Sequence, residues 1–180
     1  MRGELILENA KNTVILCGTL LNQPSFSHES RGEKFYVFPL SVKRLSGIYD
    51  TVNILIRENL MDSLNIEPLP KITVTGQVRS FNNKGPVGNR LIISVFAKEI
   101  RFSEDSDLNC VELTGTICKA PTFRHTPMGR EICDIMLAVN RKYGRSDYLP
   151  CILWGSLAKK GATLPVGTVI NVSCRLQSRE

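Results

Sequence analysis

The stretch VILCGTLLNQPSFSHESRGEKFYVFPLSVKR (Val14–Arg44) returns 97 residues later, without a gap, as VELTGTICKAPTFRHTPMGREICDIMLAVNR (Val111–Arg141). In the first copy, the positions that are identical in the second are Val14, Leu16, Gly18, Thr19, Pro24, Phe26, His28, Gly32, Leu40, Val42 and Arg44. This period exceeds the roughly 20 to 50 residues of solenoid and propeller repeats. The sequence therefore predicts two copies of one whole domain.

The composition is that of an ordinary folded protein. Hydrophobic residues make up 42% and charged residues 22% of the 180 residues, which excludes a disordered or collagen-like chain. The net charge of +6 makes a polyanion the first partner to consider. The N-terminus does not read as a signal peptide, and no apolar run is long enough to span a bilayer. We therefore predict a cytoplasmic protein with no membrane partner.

The sequence offers no set of residues for metal or covalent chemistry. Its six cysteines include no Cys-x-x-Cys pair, and there are only two histidines. We interpret the cysteines as small buried side chains in a reducing compartment, and His28 and His125 as structural turn residues. No nucleophile elbow, Walker-type loop or paired-carboxylate motif is present. The prediction is a protein without enzymatic activity, metal or cofactor.

Runs of β-branched and aromatic residues predict five strands in the first copy, with a helix between the third and fourth strands. The strands are expected at residues 14–21, 35–44, 51–56, 72–78 and 91–96, and the helix at 58–64. Residues 81–90 are expected to form a long polar loop between the last two strands. Residues 103–107 are acidic and polar, as expected for a linker, so we place the domains at 1–104 and 108–180.

The second copy repeats this order but ends early. Strands are expected at 111–118, 131–139, 148–154 and 169–176, with a short helix near 156–160. No hairpin or fifth strand follows. The second domain is therefore either truncated or completed by another chain.

Five strands with a helix between the third and fourth describe the OB-fold barrel. The second copy is more specific, because VELTGTI (111–117), LAVNR (137–141) and DYLPCILWG (147–155) resemble the bacterial single-stranded DNA-binding protein family. The first copy shares this resemblance through the repeat. The resemblance implies an all-β protein of two tandem OB-fold, five-stranded barrels, the second lacking its last strand in this chain.

The resemblance also implies a function and an assembly. It implies sequence-independent binding and protection of single-stranded DNA in replication, repair or recombination. The family usually presents four OB-folds as a homotetramer, so two per chain predict a homodimer. Replication or repair proteins are further expected partners.

A non-specific binder of single strands needs aromatic side chains for base stacking and cations for the phosphates. The resemblance places Tyr143, Tyr148 and Trp154 at or near stacking positions. The alternative for Trp154, which ends an apolar run, is a place in the core. The cations predicted beside the aromatic residues are Arg141, Lys142 and Arg145.

The first copy departs from this pattern. Ser46, Thr51 and Arg57 stand where the second copy has its three aromatic residues. The remaining candidates for nucleic-acid binding are Lys43, Arg44, Arg57 and Arg79, together with Phe81, Lys84 and Arg90 in the 81–90 segment. We expect the first domain to bind the nucleic-acid backbone weakly or to act mainly in assembly.

Two other functions remain open at this point. The scarcity of aromatic residues in the first copy favours an OB-fold module that contacts proteins of the replication or primosome machinery. RNA is a second alternative ligand, because stacking and phosphate contacts do not distinguish it from DNA without a residue that recognises the 2′-hydroxyl.

Overall fold

The computed structural model describes residues 10–64 and 67–179, and most of them lie in β-strands. The strands of the first repeat are β1 (Asn12–Leu20), β2 (Ser25–Ser30), β3 (Glu33–Lys43), β4 (Tyr49–Arg57), β5 (Lys71–Gly85) and β6 (Gly88–Phe102). The second repeat forms β7 (Leu108–Ile117), β8 (Thr122–His125), β9 (Glu131–Asn140), β10 (Ser146–Trp154), the helix α1 (Ser156–Ala162) and β11 (Val169–Cys174).

Strands β7 to β10 follow β1 to β4 at close to the 97-residue offset, so the sequence repeat is also a structural one. The cores repeat as well. Leu40 and Val42 on β3 are buried, and so are Leu137 and Val139 at the matching positions on β9. Alternate residues of a strand point to opposite faces, so the repeated apolar alternation places one face of each strand in a core.

Contacts along the chain define two compact units. The first unit contains the described residues of 12–79, 92–112 and 173–179. The second unit contains residues 10–11, 80–91 and 113–172. Each unit therefore includes residues from both sequence repeats.

In the first unit, strand pairing closes into a ring. β1 pairs with β5 and β3, β3 pairs with β4, and β4 runs parallel to β6, which neighbours β5. β2 pairs with β3 outside this ring. Phe38, Leu16 and Ile54 are fully buried within the ring. The result is a five-stranded barrel with one additional edge strand.

In the second unit, β9 is the central strand. It pairs with β10 over residues 146–154, with β8 over 122–125, and with β7 at Thr116 and Ile117. β11 pairs with β7. Within residues 67–179 no strand follows β11, and the pairings among these five strands do not close into a ring.

Two strands differ from the sequence prediction. β2 and β8 lie where loops were expected, and every residue of both is exposed. They carry His28 and His125, which are thus strand residues rather than turn residues. The His28 ring stacks on Phe35, with the ring centroids 4.8 Å apart. With neither face buried, these strands have no apolar alternation to mark them in the sequence.

The 81–90 segment is not a long loop. β5 continues to Gly85 and β6 begins at Gly88, so only Pro86 and Val87 connect the two strands. All ten residues are exposed, and for that reason their pattern did not indicate a strand.

The expected helix at 58–64 is a single 3-10 turn at Glu58–Leu60. It is followed by a turn in which the Ser63 hydroxyl donates to the Leu60 carbonyl at 2.7 Å. Asn59, Asp62 and Ser63 are weak helix formers, because their side chains compete for nearby backbone groups.

The exposure of the cysteines and the contacts of the predicted linker both differ from the sequence prediction. Among the cysteines, Cys17 and Cys133 are buried, but Cys110 and Cys174 are exposed. The predicted linker is tied to the first unit, because Asp107 accepts a 2.7 Å hydrogen bond from the Lys43 amide and lies 2.7 Å from the Lys71 ammonium nitrogen.

Candidate nucleic-acid interface

The second repeat presents aromatic side chains on the outer face of β10. Strand alternation directs Asp147 and Leu149 inward, where both are buried, and Tyr148 and Trp154 outward. Tyr148 is 49% exposed and Trp154 is 46% exposed. At about 3.3 Å per residue, the six-residue separation puts their Cα atoms about 20 Å apart along one face. This row of outward side chains is the β10 face.

Tyr143 lies at the tip of the β9–β10 hairpin. The Arg141 amide donates to the Arg145 carbonyl at 2.7 Å, and Gly144 adopts a φ of 76° within the turn. Tyr143 is 95% exposed, and Lys142 and Arg145 beside it are exposed as well. An aromatic ring that packs into no core is free to offer its faces to a planar ligand.

Trp154 is not a core residue, since nearly half of its surface is exposed. It borders an open cleft at the far end of the β10 face. Glu131 lines this cleft, and its carboxylate lies 3.4 Å from the Lys159 ammonium nitrogen. The other residues that line the cleft are Gly129, Arg130 and Gly155.

Arg141 is held by a buried carboxylate. Its Nε and Nη2 donate to the two oxygens of Asp147 at 2.7 and 2.5 Å, and the Asp147 side chain is fully buried. These hydrogen bonds raise the pKa of Arg141. Asp147 also accepts a 2.7 Å hydrogen bond from the Ser80 amide. The Arg141 guanidinium therefore fixes the base of the hairpin that carries Tyr143.

The first repeat contains the same arrangement. Arg44 donates twice to the fully buried Asp50, both times at 2.6 Å. The Ser178 amide donates to the same carboxylate at 2.9 Å. Asp50 and Asp147 match at the 97-residue offset, as Arg44 and Arg141 do. Sequence reasoning paired the arginines but missed both aspartates, although that shared offset was a signal that could have revealed them.

The Arg44–Asp50 pair predicts a specific pH dependence. Hydrogen bonds from Arg44 and Ser178 hold the pKa of Asp50 below its usual value of about 3.9. Stabilisation by the charged carboxylate is thus fully present above about pH 4 and is lost as pH falls through the folded-state pKa. We expect Asp50→Asn to lower the free energy of unfolding more at pH 7 than at pH 3, measured by urea denaturation. An equal loss at both pH values would contradict this role for the charge.

The predicted cations of the first repeat are mostly engaged with neighbours. The Lys43 nitrogen lies 5.7 Å from the centre of the Tyr49 ring. Arg57 lies 3.4 Å from Glu33 and also over the Phe96 ring, 5.4 Å from its centre. Arg79 approaches the same ring at 5.8 Å and donates to Gln77 at 2.8 Å.

The candidate binding residues of the β5–β6 hairpin lie in the other compact unit. Phe81 is 53% exposed, and Lys84 and Arg90 are exposed too. Although they come from the first repeat, all three lie in the compact unit that contains the β10 face. The structure thus brings one group of predicted residues into the second unit, whereas Lys43, Arg44, Arg57 and Arg79 lie in the first.

Residues 108–180 match the model of the single-strand binding protein family. The match contains the whole β9–β10 hairpin, including its three exposed aromatic residues. The family match therefore coincides with the site that the geometry defines.

Curated relatives with partial similarity to this chain are single-stranded DNA-binding proteins. A single-stranded DNA-binding protein 2 from Listeria innocua is 33% identical over 79 residues, which are 40% of this chain and 50% of the relative. Single-stranded DNA-binding protein A from Bacillus subtilis is 35% identical over 79 residues, 40% of this chain and 46% of that protein. The match spans about half the length of these relatives.

Solved structures support the fold. The wild-type single-stranded DNA-binding protein from Thermus aquaticus superimposes with a TM-score of 0.76 and 24% identity, over 93% of this chain and 85% of that one. A deletion mutant of that protein gives a TM-score of 0.78 over 93% of this chain and 87% of that one, also at 24% identity. The similarity extends over both repeats, whereas the family match covers the second alone.

Other kinds of site are not indicated in the described part of the chain. Residues 10–64 and 67–179 contain no group of three or more His, Cys, Asp or Glu side chains placed to hold a metal ion. None of the helices described has the length and apolar character that crossing a membrane requires.

Proposed function

We propose that this protein binds single-stranded DNA without sequence preference and protects it during replication, repair or recombination. The observation that carries the proposal is the set of three exposed aromatic residues on one hairpin, Tyr143, Tyr148 and Trp154. They lie in the segment that matches the single-strand binding protein family. Bases that are unpaired can stack on such rings, whereas bases inside a duplex cannot.

The proposed mechanism combines stacking with phosphate contacts. Bases stack along the β10 face, and Lys142 and Arg145 contact the sugar-phosphate backbone. Lys84 and Arg90 extend the positive surface within the same compact unit, and Phe81 offers a further ring. Arg141 has a different contribution, because its bidentate pairing with Asp147 uses the guanidinium to hold the hairpin.

The proposed architecture is two tandem OB-folds, arising from repeat segments 1–104 and 108–180. It is supported by the closed ring in the first unit and by the recurrence of the strand order in the second repeat. Two such folds per chain would give four in a homodimer. A cytoplasmic location and contacts with replication or repair proteins complete the proposal.

A second function is favoured for the first unit by its β3–β4 turn. Leu45 and Ile48 stand at the positions of Lys142 and Arg145; Leu45 is fully exposed and Ile48 is 56% exposed. The adjacent Tyr49 is 58% exposed. An exposed apolar group at this site suits a protein partner better than a phosphate backbone. The corresponding proposal is a protein-interaction role for this turn.

The test uses Trp154, which is the only tryptophan in the chain. Fluorescent oligo-dT, oligo-U and a matched DNA duplex are titrated at several salt concentrations, with anisotropy and tryptophan quenching recorded. We expect oligo-dT to bind more tightly than the duplex, to quench Trp154, and to weaken as salt rises. Equal binding of duplex and single strand would contradict the proposal, and tighter binding of oligo-U would reassign the ligand to RNA.

A further inference from the structure

Ser80 belongs to the first repeat by sequence and to the second unit by its contacts. Its amide donates to Asp147 at 2.7 Å, and its hydroxyl oxygen accepts a 2.8 Å hydrogen bond from the Tyr148 amide. The Ser80 side chain is largely buried, with 8% of the residue exposed. A single residue thus contacts two consecutive residues at the start of the β10 face.

These contacts satisfy groups that strand pairing leaves open. β10 is the last strand in the order of its sheet, where it pairs with β9. An edge strand presents backbone groups that need other hydrogen-bond partners. Ser80 supplies the acceptor for the Tyr148 amide and a donor for the carboxylate that holds Arg141.

We propose that Ser80 is a positioning residue for the Tyr148 ring, so that the first repeat prepares the stacking face of the second. This inference rests on the proposed function. Fixing the Tyr148 amide and the side chain of the preceding Asp147 lowers the number of orientations that the Tyr148 ring must lose when a base stacks on it. The contribution therefore appears as tighter binding of the single strand rather than as a direct contact with it.

The first unit contains a matched control. The Ser178 amide donates to Asp50 at 2.9 Å, and the Ser178 hydroxyl oxygen accepts from the Thr51 amide at 3.0 Å. These two hydrogen bonds correspond to those of Ser80, but Thr51 takes the place of Tyr148, and the Ser178 hydroxyl also donates to Asp50 at 3.4 Å. Removing the Ser178 hydroxyl disturbs an equivalent hydrogen bond beside a residue that has no aromatic ring.

The experiment uses the full chain with Ser80→Ala, Ser80→Thr, Ser178→Ala and Tyr148→Ala variants. Amide hydrogen exchange is measured by NMR, and oligo-dT affinity by anisotropy. For Ser80→Ala we expect exchange of the Tyr148 amide to rise about fivefold and oligo-dT binding to weaken about threefold to tenfold. Ser80→Thr keeps the hydroxyl and is expected to restore both values, whereas Ser178→Ala is expected to accelerate exchange at Thr51 and leave affinity unchanged.

A double-mutant cycle separates positioning from a general loss of stability. In the Tyr148→Ala background, Ser80→Ala is expected to weaken binding by less than about twofold, because the ring it positions is gone. An equal loss with and without Tyr148, or unchanged affinity for Ser80→Ala in the unmodified background, would overturn the positioning role. Failure of the unmodified chain to bind oligo-dT would instead overturn the proposed function, so the two failures are distinguishable.

Discussion

Replacing both Tyr143 and Trp154 by alanine is expected to weaken binding to single-stranded DNA by about 1 to 3 kcal/mol for each base that no longer stacks. Tyr143 is almost fully exposed and Trp154 lies on the outer face of its strand, so neither substitution opens a core cavity. The effect should therefore appear in affinity and not in the free energy of unfolding. Anisotropy of a labelled oligonucleotide is the suitable measurement, because the variant has no tryptophan.

Phe102→Ala provides a control of similar chemistry. Phe102 is 53% exposed, so its truncation removes an aromatic ring comparable in exposure to that of Trp154. It lies at the end of β6 and outside the proposed binding site. We expect its affinity to equal that of the unmodified protein. If the folded Tyr143 and Trp154 double variant also binds with unchanged affinity, base stacking on these two rings is wrong.

Gly18→Ala is expected to lower the free energy of unfolding by about 3 kcal/mol, at the upper end of what overpacking usually costs. A Cβ atom at Gly18 would overlap the backbone carbonyl of Ser41. This is the place where β1 meets β3 and closes the ring, with Thr19 opposite Ser41. A backbone atom in a closed barrel cannot rotate away as a flexible side chain can, so the strands must separate. Urea denaturation gives the measurement.

Gly115→Ala is the matched variant, because Gly115 occupies the same place in the second repeat. There a Cβ would lie 3.1 Å from the Leu137 Cβ and 3.2 Å from the Ala138 carbonyl oxygen, which is tight but requires only a small shift. We expect a clearly smaller decrease in stability than for Gly18→Ala. Equal decreases for the two substitutions would show that closure of β1 on β3 does not set the cost.

The sequence could predict those strands whose side chains are partly buried in a core, because burial requires apolar residues at regular positions. The run rich in β-branched and aromatic residues that contains Leu40 and Val42 predicted β3, and the sequence repeat predicted β9. The β5–β6 extension and strands β2 and β8 carried no such pattern, since their residues are exposed and pairing between backbones alone defines them. A residue-by-residue propensity cannot register partners that are distant in sequence.

The candidate site divides in the same way. The aromatic residues were identifiable because no core pattern explains Tyr143 among charged and small neighbours. The repeat offset marks Arg141 and Asp147 as recurring residues but not as a buried pair, because a guanidinium that holds a turn and one that contacts phosphate have the same sequence signature. The contribution of Ser80 could not be foreseen either, since it depends on a hydrogen bond across 68 positions of the chain.

Each compact unit contains residues from both repeats, and this limits how the chain can be cut into fragments or recombined. A gene fragment that encodes residues 108–180 alone omits the acceptor for the Tyr148 amide, and one that encodes residues 1–104 omits the Ser178 cap on Asp50. Neither repeat alone contains all the hydrogen-bond partners that its own strands use. Each repeat supplies a hydrogen-bond partner to a strand of the other, so recombination that keeps both contacts is expected to transfer the two repeats as a pair.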